Sequence, residues 1–178
     1  MRRHDVKAGE RVGVVGIGGL GHLALQYAKA LGAVVTAIST STNKKAEANK
    51  LGATNFVNLR DEEDLKKAAR SLDYLFITSN ASDAPYDKYA SLLDTFGKMV
   101  LLAAPEDNIK INPMSLIPKN ISLVGSIIGS IEDQKETLAF SAKHNIRPMI
   151  EKFPMERVNE GLQHVRDGKV RYRVVLEN

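Results

Sequence analysis

Residues 11–33, RVGVVGIGGLGHLALQYAKALGA, decide the fold. Val12, Val14 and Val15 make the short apolar run of a parallel strand buried on both faces. The run breaks into Gly16, Gly18, Gly19 and Gly21, after which Leu23, Ala24, Tyr27, Ala28 and Leu31 recur at helical spacing. Gly16-Ile17-Gly18-Gly19-Leu20-Gly21 fits G-x-G-x-x-G, set between a strand and a helix as the dinucleotide fingerprint requires. There Gly16 permits a tight turn, Gly18 lets backbone approach a pyrophosphate, and Gly21 lets the helix close on the sheet. The helix start offers unpaired N–H groups and the positive end of its dipole to a phosphate. A glycine-rich hexapeptide alone is a weak signal, and its flanks give this one its meaning.

Outward from this stretch, strand alternates with helix. Strands are expected at 33–39, 54–58, 72–78, 98–103 and 121–128, and helices at 44–51, 61–70, 85–93 and 133–143. Gly32 and Gly52 stop two helices, and Pro85 suits a first turn. Six strands alternating with helices predict an α/β fold, a doubly wound parallel six-stranded Rossmann sheet with right-handed crossovers. Residues 1–146 form the dinucleotide-binding domain in this reading. Residues 147–178 form a tail of strand (148–153), amphipathic helix (155–166) and strand (171–176), which either docks on the flank of the sheet or belongs to a neighbouring domain. A first core strand at Arg11, behind a short polar lead-in, suggests a piece of something longer.

Composition narrows the classes. The chain of 178 residues is long enough for one well-buried core. No apolar run approaches the roughly 20 residues that cross a bilayer. The start, MRRHDVKAGE, lacks the apolar segment of a secretory signal, so a cytoplasmic protein is expected. Cysteine is absent, which removes disulfides, thiolate zinc sites and cysteine nucleophiles. His4, His22, His144 and His164 are scattered without ligand spacing, so no metal site is expected. The net charge of +4 is spread among acids, as on a solvated surface rather than a nucleic-acid face.

The end of the second strand bears on the cofactor. An NAD-binding fold of this kind places an acid there for the ribose hydroxyls. Here the chain reads Ser39-Thr40-Ser41-Thr42-Asn43-Lys44-Lys45, with no carboxylate until Glu47. Small hydroxyls and a lysine suit a 2′-phosphate, so NADP(H) is favoured over NAD(H). Ser41 or Thr42 also serves as an N-cap, which is compatible.

With these stretches in place, a resemblance becomes specific. GERVGVVGIGGLGHLALQYAKALGA, the Ser-Thr-Ser…Lys run, LGATNFVN, LDYLFIT and the ending VRYRVVLE resemble the zinc-dependent medium-chain alcohol dehydrogenases. Within them the chain is most similar to the NADP-dependent cinnamyl alcohol dehydrogenase branch. The resemblance covers nearly the whole chain and implies reversible hydride transfer between an alcohol and its aldehyde. It places Gly18, Gly19 and Leu20 at the pyrophosphate, with Gly16 and Gly21 shaping the turn. Thr40, Ser41 and Lys44, beside Ser39, fall at the 2′-phosphate. Thr78, Ser79 and Asn80 line the ribose crevice, while Ala103, Ala104, Ser126, Ile127 and Ile128 flank the nicotinamide. Family members also carry an N-terminal domain with a catalytic zinc, which this chain lacks. The expectation is thus a cofactor half with no catalytic or metal residues of its own, inactive alone, its tail packing with the absent domain.

His22, at the helix start, is read as neutral and hydrogen-bonding, because a charged imidazole would oppose the helix dipole. The run Asp61-Glu62-Glu63-Asp64 is a solvated helix start. Arg171 and Arg173 are expected on one exposed face of the last strand. No Tyr-x-x-x-Lys pair and no Walker A lysine is present. A long apolar edge strand at 121–128 invites association, and related dehydrogenases pair this strand, so a homodimer through residues 122–128 is expected. The competing function is a non-catalytic nucleotide-sensing module, which would usually keep the acid after the second strand.

Overall fold

The computed structural model describes residues 1–178. Strands β1 (Arg11–Val15), β2 (Val34–Ser39), β3 (Asn55–Asn58), β4 (Leu72–Ile77), β5 (Leu93–Leu101) and β6 (Ser122–Gly125) form one sheet. Their order is β3-β2-β1-β4-β5-β6, and every neighbouring pair is parallel. This is the doubly wound six-stranded Rossmann sheet that the alternation predicts. The strand order reverses between β1 and β4, so a crevice opens at their carboxyl ends.

Apolar residues cover both faces. On one, Val12, Val14 and Phe76 meet Leu25 and Ala28 of helix α1 (Gly21–Ala30) and Ala48 of α2 (Lys45–Lys50). On the other, Val15, Ile38, Leu75 and Ile77 meet Leu65 of α3 (Glu62–Lys67) and Tyr86, Tyr89 and Leu92 of α4 (Tyr86–Leu92). Each fully buried leucine, such as Leu25 or Leu75, contributes about 2–3 kcal/mol by leaving water. Helix α5 (Ile131–His144) buries no residue fully and lies beside α1, where Tyr27 and Ser141 share a 2.6 Å hydrogen bond.

Several boundaries differ from the sequence expectation, each for a local reason. β5 begins at Leu93 rather than 98, because α4 runs into it without a loop and Leu93 is fully buried. Its pairing with β4 then slips between Leu72 and Tyr74, and Phe96 there takes a φ of 63°. β6 stops at Gly125, so 126–128 lie outside the expected strand. α5 starts two residues early because Ser130 and Asp133 close a reciprocal cap. Residues 42–44 make a 3-10 turn before α2, capped by Ser41.

After residue 147 the chain forms β7 (Ile150–Pro154), a 3-10 turn, α6 (Val158–Arg166) and β8 (Arg173–Glu177), with β8 parallel to β7. Glu151 stiffens this unit, accepting from Arg171 N–H at 2.6 Å and pairing with His164 Nε2 at 2.7 Å.

Charge gathers where the strands begin. Arg11 makes a two-pronged pair with Asp73 (2.5 and 3.1 Å) and reaches Asp94 at 3.1 Å. Arg70 closes the group on Asp94, also at 3.1 Å. These residues occupy the amino-terminal rim of β1, β4 and β5, opposite the glycine loop.

Candidate functional site

The carboxyl end of β1 turns sharply at Gly16, whose φ of 85° calls for glycine. Gly16 N–H donates to the Ile38 carbonyl (3.0 Å), and the Thr78 hydroxyl donates to the carbonyls of Val15 and Gly16 (2.8 and 2.9 Å). The loop is thereby fixed to both flanking strands. A Cβ on Gly21 would collide with the Gly16 carbonyl, so this glycine is required by the close approach of α1. Gly18 differs. Its φ is outside the left-handed range, and a Cβ there would meet nothing within 4 Å. The fold does not require a glycine at 18, but a ligand lying on the backbone would. Gly18, Gly19 and Leu20 N–H join no backbone hydrogen bond of the turn, and α1 has no side-chain cap, which leaves donors for an anion.

Beside the loop, the end of β2 presents hydroxyls. Ser39 Oγ accepts from Ser41 N–H at 3.4 Å, Ser41 Oγ donates to Asn43 Oδ1 at 2.7 Å, and Thr40 is exposed. Lys44 Nζ crosses to the glycine loop and donates to the Ile17 carbonyl at 2.7 Å. Burial, reinforced by Arg171, pushes the Lys44 ammonium below the usual lysine range. The first carboxylate after β2, Glu47, is taken up elsewhere, accepting from the Tyr172 hydroxyl with Arg171 Nε 4.0 Å away.

On the far side of the loop, a cleft of about 390 Å³ opens between α1, α5 and the strand ends. Leu20, Thr78, Ser126 and Ile127 share its wall with Leu23, Tyr27, Phe76 and Phe140. Four expected site residues, distant in sequence, thus meet in one cavity. Ser79 sits behind the loop, its Cβ 3.1 Å from where a Gly16 Cβ would lie. Asn80, Ala103, Ala104 and Ile128 lie on the connections at the same rim and do not line that cleft.

Sequence reasoning missed the tail's part in the site. Arg171 and Arg173, expected side by side on an exposed strand face, are split: Arg171 precedes β8, and Arg173, though exposed, lays its guanidinium over Gly19. Tyr172 between them is buried, stacked on His22 with centroids 4.9 Å apart. Met149 N–H donates to His22 Nε2 at 3.1 Å, so Nδ1 carries the proton and donates to the Gly18 carbonyl at 2.9 Å. His22 is therefore neutral, and burial holds its pKa below the ordinary value. It joins the glycine loop to the tail. The only sequence signal was the apolar tyrosine within a basic ending.

These residues fit a phosphorylated dinucleotide: an open position at Gly18, free amides, and hydroxyls with an ammonium at the ribose end. They do not fit zinc, since the chain has no cysteine and no three His, Asp or Glu side chains come together.

Known proteins resemble this chain in sequence and in fold. The zinc-binding dehydrogenase family model matches residues 19–143. The 8-hydroxygeraniol dehydrogenase of Catharanthus roseus is 43% identical over 172 residues, which are 96% of this chain and 48% of that protein. The probable cinnamyl alcohol dehydrogenase 1 of Oryza sativa subsp. japonica is 41% identical over 179 residues, covering 99% and 50%. A solved cinnamyl alcohol dehydrogenase from Sorghum bicolor superposes with a TM-score of 0.92 at 34% identity, over 98% of this chain and 50% of that one. The Helicobacter pylori enzyme solved with NADP(H) gives 0.84 at 30%, over 98% and 50%. The chain spans about half the length of the curated relatives it matches. On the family match and the shared sheet, the chain belongs to the zinc-binding dehydrogenases.

Proposed function

We propose that this chain is the NADP(H)-binding half of a zinc-dependent alcohol dehydrogenase, acting on an alcohol and its aldehyde in the complete enzyme. The observation that carries the reading is the open position at Gly18 beside a ribose end lined by Ser39, Thr40, Ser41 and Lys44 without a free acid. Gly18, Gly19 and Leu20 amides would hold the pyrophosphate, and the Arg173 guanidinium over Gly19 would supply a cation to it. Thr78, Ser79 and Asn80 would border the ribose, with Ala103, Ala104, Ser126, Ile127 and Ile128 orienting the nicotinamide and excluding water. The bound nicotinamide supplies the hydride. Zinc would come from a part of the enzyme beyond these residues, which offer no ligand set. Leu162 and Val165 of α6 are nearly half exposed, and they suit packing against that part. β6, at the sheet edge, is the proposed seam of a homodimer.

Fluorescence or calorimetric titration with NADPH, NADH, ATP and AMP tests the reading. NADPH binds best by at least about ten-fold, a difference of about 1.4 kcal/mol. Gly18→Ala keeps the thermal midpoint within a degree or two but weakens NADPH about ten-fold or more, because its methyl stands where the diphosphate would lie. No alcohol is turned over by the 178-residue chain. Equal weak binding of all four nucleotides would favour a sensor module instead.

A further inference from the structure

We propose that Tyr172 is a positioning residue for cofactor choice: its ring holds the Lys44 ammonium against the glycine loop at the end of β2, while its hydroxyl draws Glu47 away from it. The inference rests on the NADP(H) reading and gives the tail a share in selecting the 2′-phosphate.

Three contacts carry it. Lys44 Nζ stands 5.5 Å from the Tyr172 ring centroid, within cation–π range, while donating to the Ile17 carbonyl. A lysine on a short surface turn would otherwise spread over many rotamers in water. Here ring and carbonyl fix its charge between the ends of β1 and β2. The ring is itself immobile, being 4% exposed and stacked on His22. Its hydroxyl donates to Glu47 Oε2, and Arg171 faces the same oxygen. Glu47 is the nearest carboxylate to follow β2 in sequence. Left free, it could accept from ribose hydroxyls and repel a 2′-phosphate, which is what an NAD-preferring site does. One side chain thus places a cation and occupies an anion. The groups facing Lys44 are Arg171, Glu47 and the Tyr172 phenol. The pair Arg171 and Lys44 keeps this corner net positive.

The test is the ratio of NADPH to NADH affinity in the 178-residue chain. Tyr172→Leu lowers the ratio about three- to ten-fold; Tyr172→Phe, which keeps the ring but releases Glu47, lowers it about two- to three-fold, and Tyr172→Phe with Glu47→Gln stays within about two-fold of the parent. In a Lys44→Met/Glu47→Gln background the further change Tyr172→Leu alters the ratio less than about two-fold, because both charges it steers are gone. A merely structural tyrosine would weaken both nucleotides in equal proportion, and that result overturns the inference. So does a ratio that still falls in the Lys44→Met/Glu47→Gln background. If the parent prefers NADPH and the ratio does not move, only this inference fails. If the parent shows no preference, the NADP(H) reading fails and takes it along. Should Tyr172→Leu not fold, the parent labelled with ¹³C-lysine gives an independent readout. The resonance absent from Lys44→Met lies upfield from ring current and moves with NADPH but not NADH. A resonance at the ordinary lysine position refutes the contact.

Discussion

His22 accepts a hydrogen bond on one ring nitrogen and donates on the other, and this fixes both its charge and its consequence. Protonation would turn Nε2 into a donor facing the Met149 N–H, so the folded state resists it. The unfolded chain has no such constraint and binds the proton near its ordinary value of about 6.5. A depressed folded pKa means that stability is complete above that value and declines as the pH falls below it toward the lower, folded one. The thermal midpoint is expected to drop as the pH falls below about 6.5, and less so in His22→Gln. Equal slopes for the two proteins would show that His22 does not titrate with unfolding. Its neutrality was legible from its place at a helix start. The Met149 bond was not, because 127 residues separate the two partners. The glycines were legible for the opposite reason. Gly16 and Gly21 answer to the turn itself, whose conformation and clearances are local.

Whole elements followed the same division between local and distant causes. Strand–helix alternation announced six parallel strands, since each short apolar run needs cover on both faces. Their ends were set by neighbours that no local pattern reveals. The abrupt passage from α4 into β5 depends on Leu92 and Leu93 both being buried, and the early start of α5 depends on its cap. β6 shows the functional side of this. The expected edge of residues 122–128 reduces to Ser122–Gly125, with Ile127 and Ile128 about 80% exposed beyond it. Four residues make a short seam, so a dimer joined there needs those isoleucines as well. Light scattering is expected to show dimers at micromolar concentration, reverting to monomers in Ile127→Lys/Ile128→Lys. A parent that stays monomeric would rule out the seam.

In the molecule as a whole, the candidate site residues collect at the carboxyl rim of the sheet and opposite charges at the amino rim. The docking of the tail onto the glycine loop was the least legible feature, because it joins the two ends of the chain through Tyr172, His22 and Arg173. The amino rim was equally hidden, since Arg11, Asp73 and Asp94 become neighbours only once β1, β4 and β5 are side by side. Hydrogen bonds from Thr95 N–H and from both arginines hold the Asp94 pKa down to about 2, and Arg11 lowers that of Asp73. Depressed carboxylates lend stability that persists above their ordinary value and fades as acid approaches the folded one. As the pH falls from about 4 toward 2, the sheet frays from its charged margin, so deuterium enters the amides of Leu72 and Asp73 before those of Phe76 and Ile77. Uniform uptake along β4 would mean that the margin is no weaker than the rest, whereas the expected gradient leaves the Phe76 and Ile77 end of that strand as the last part to open.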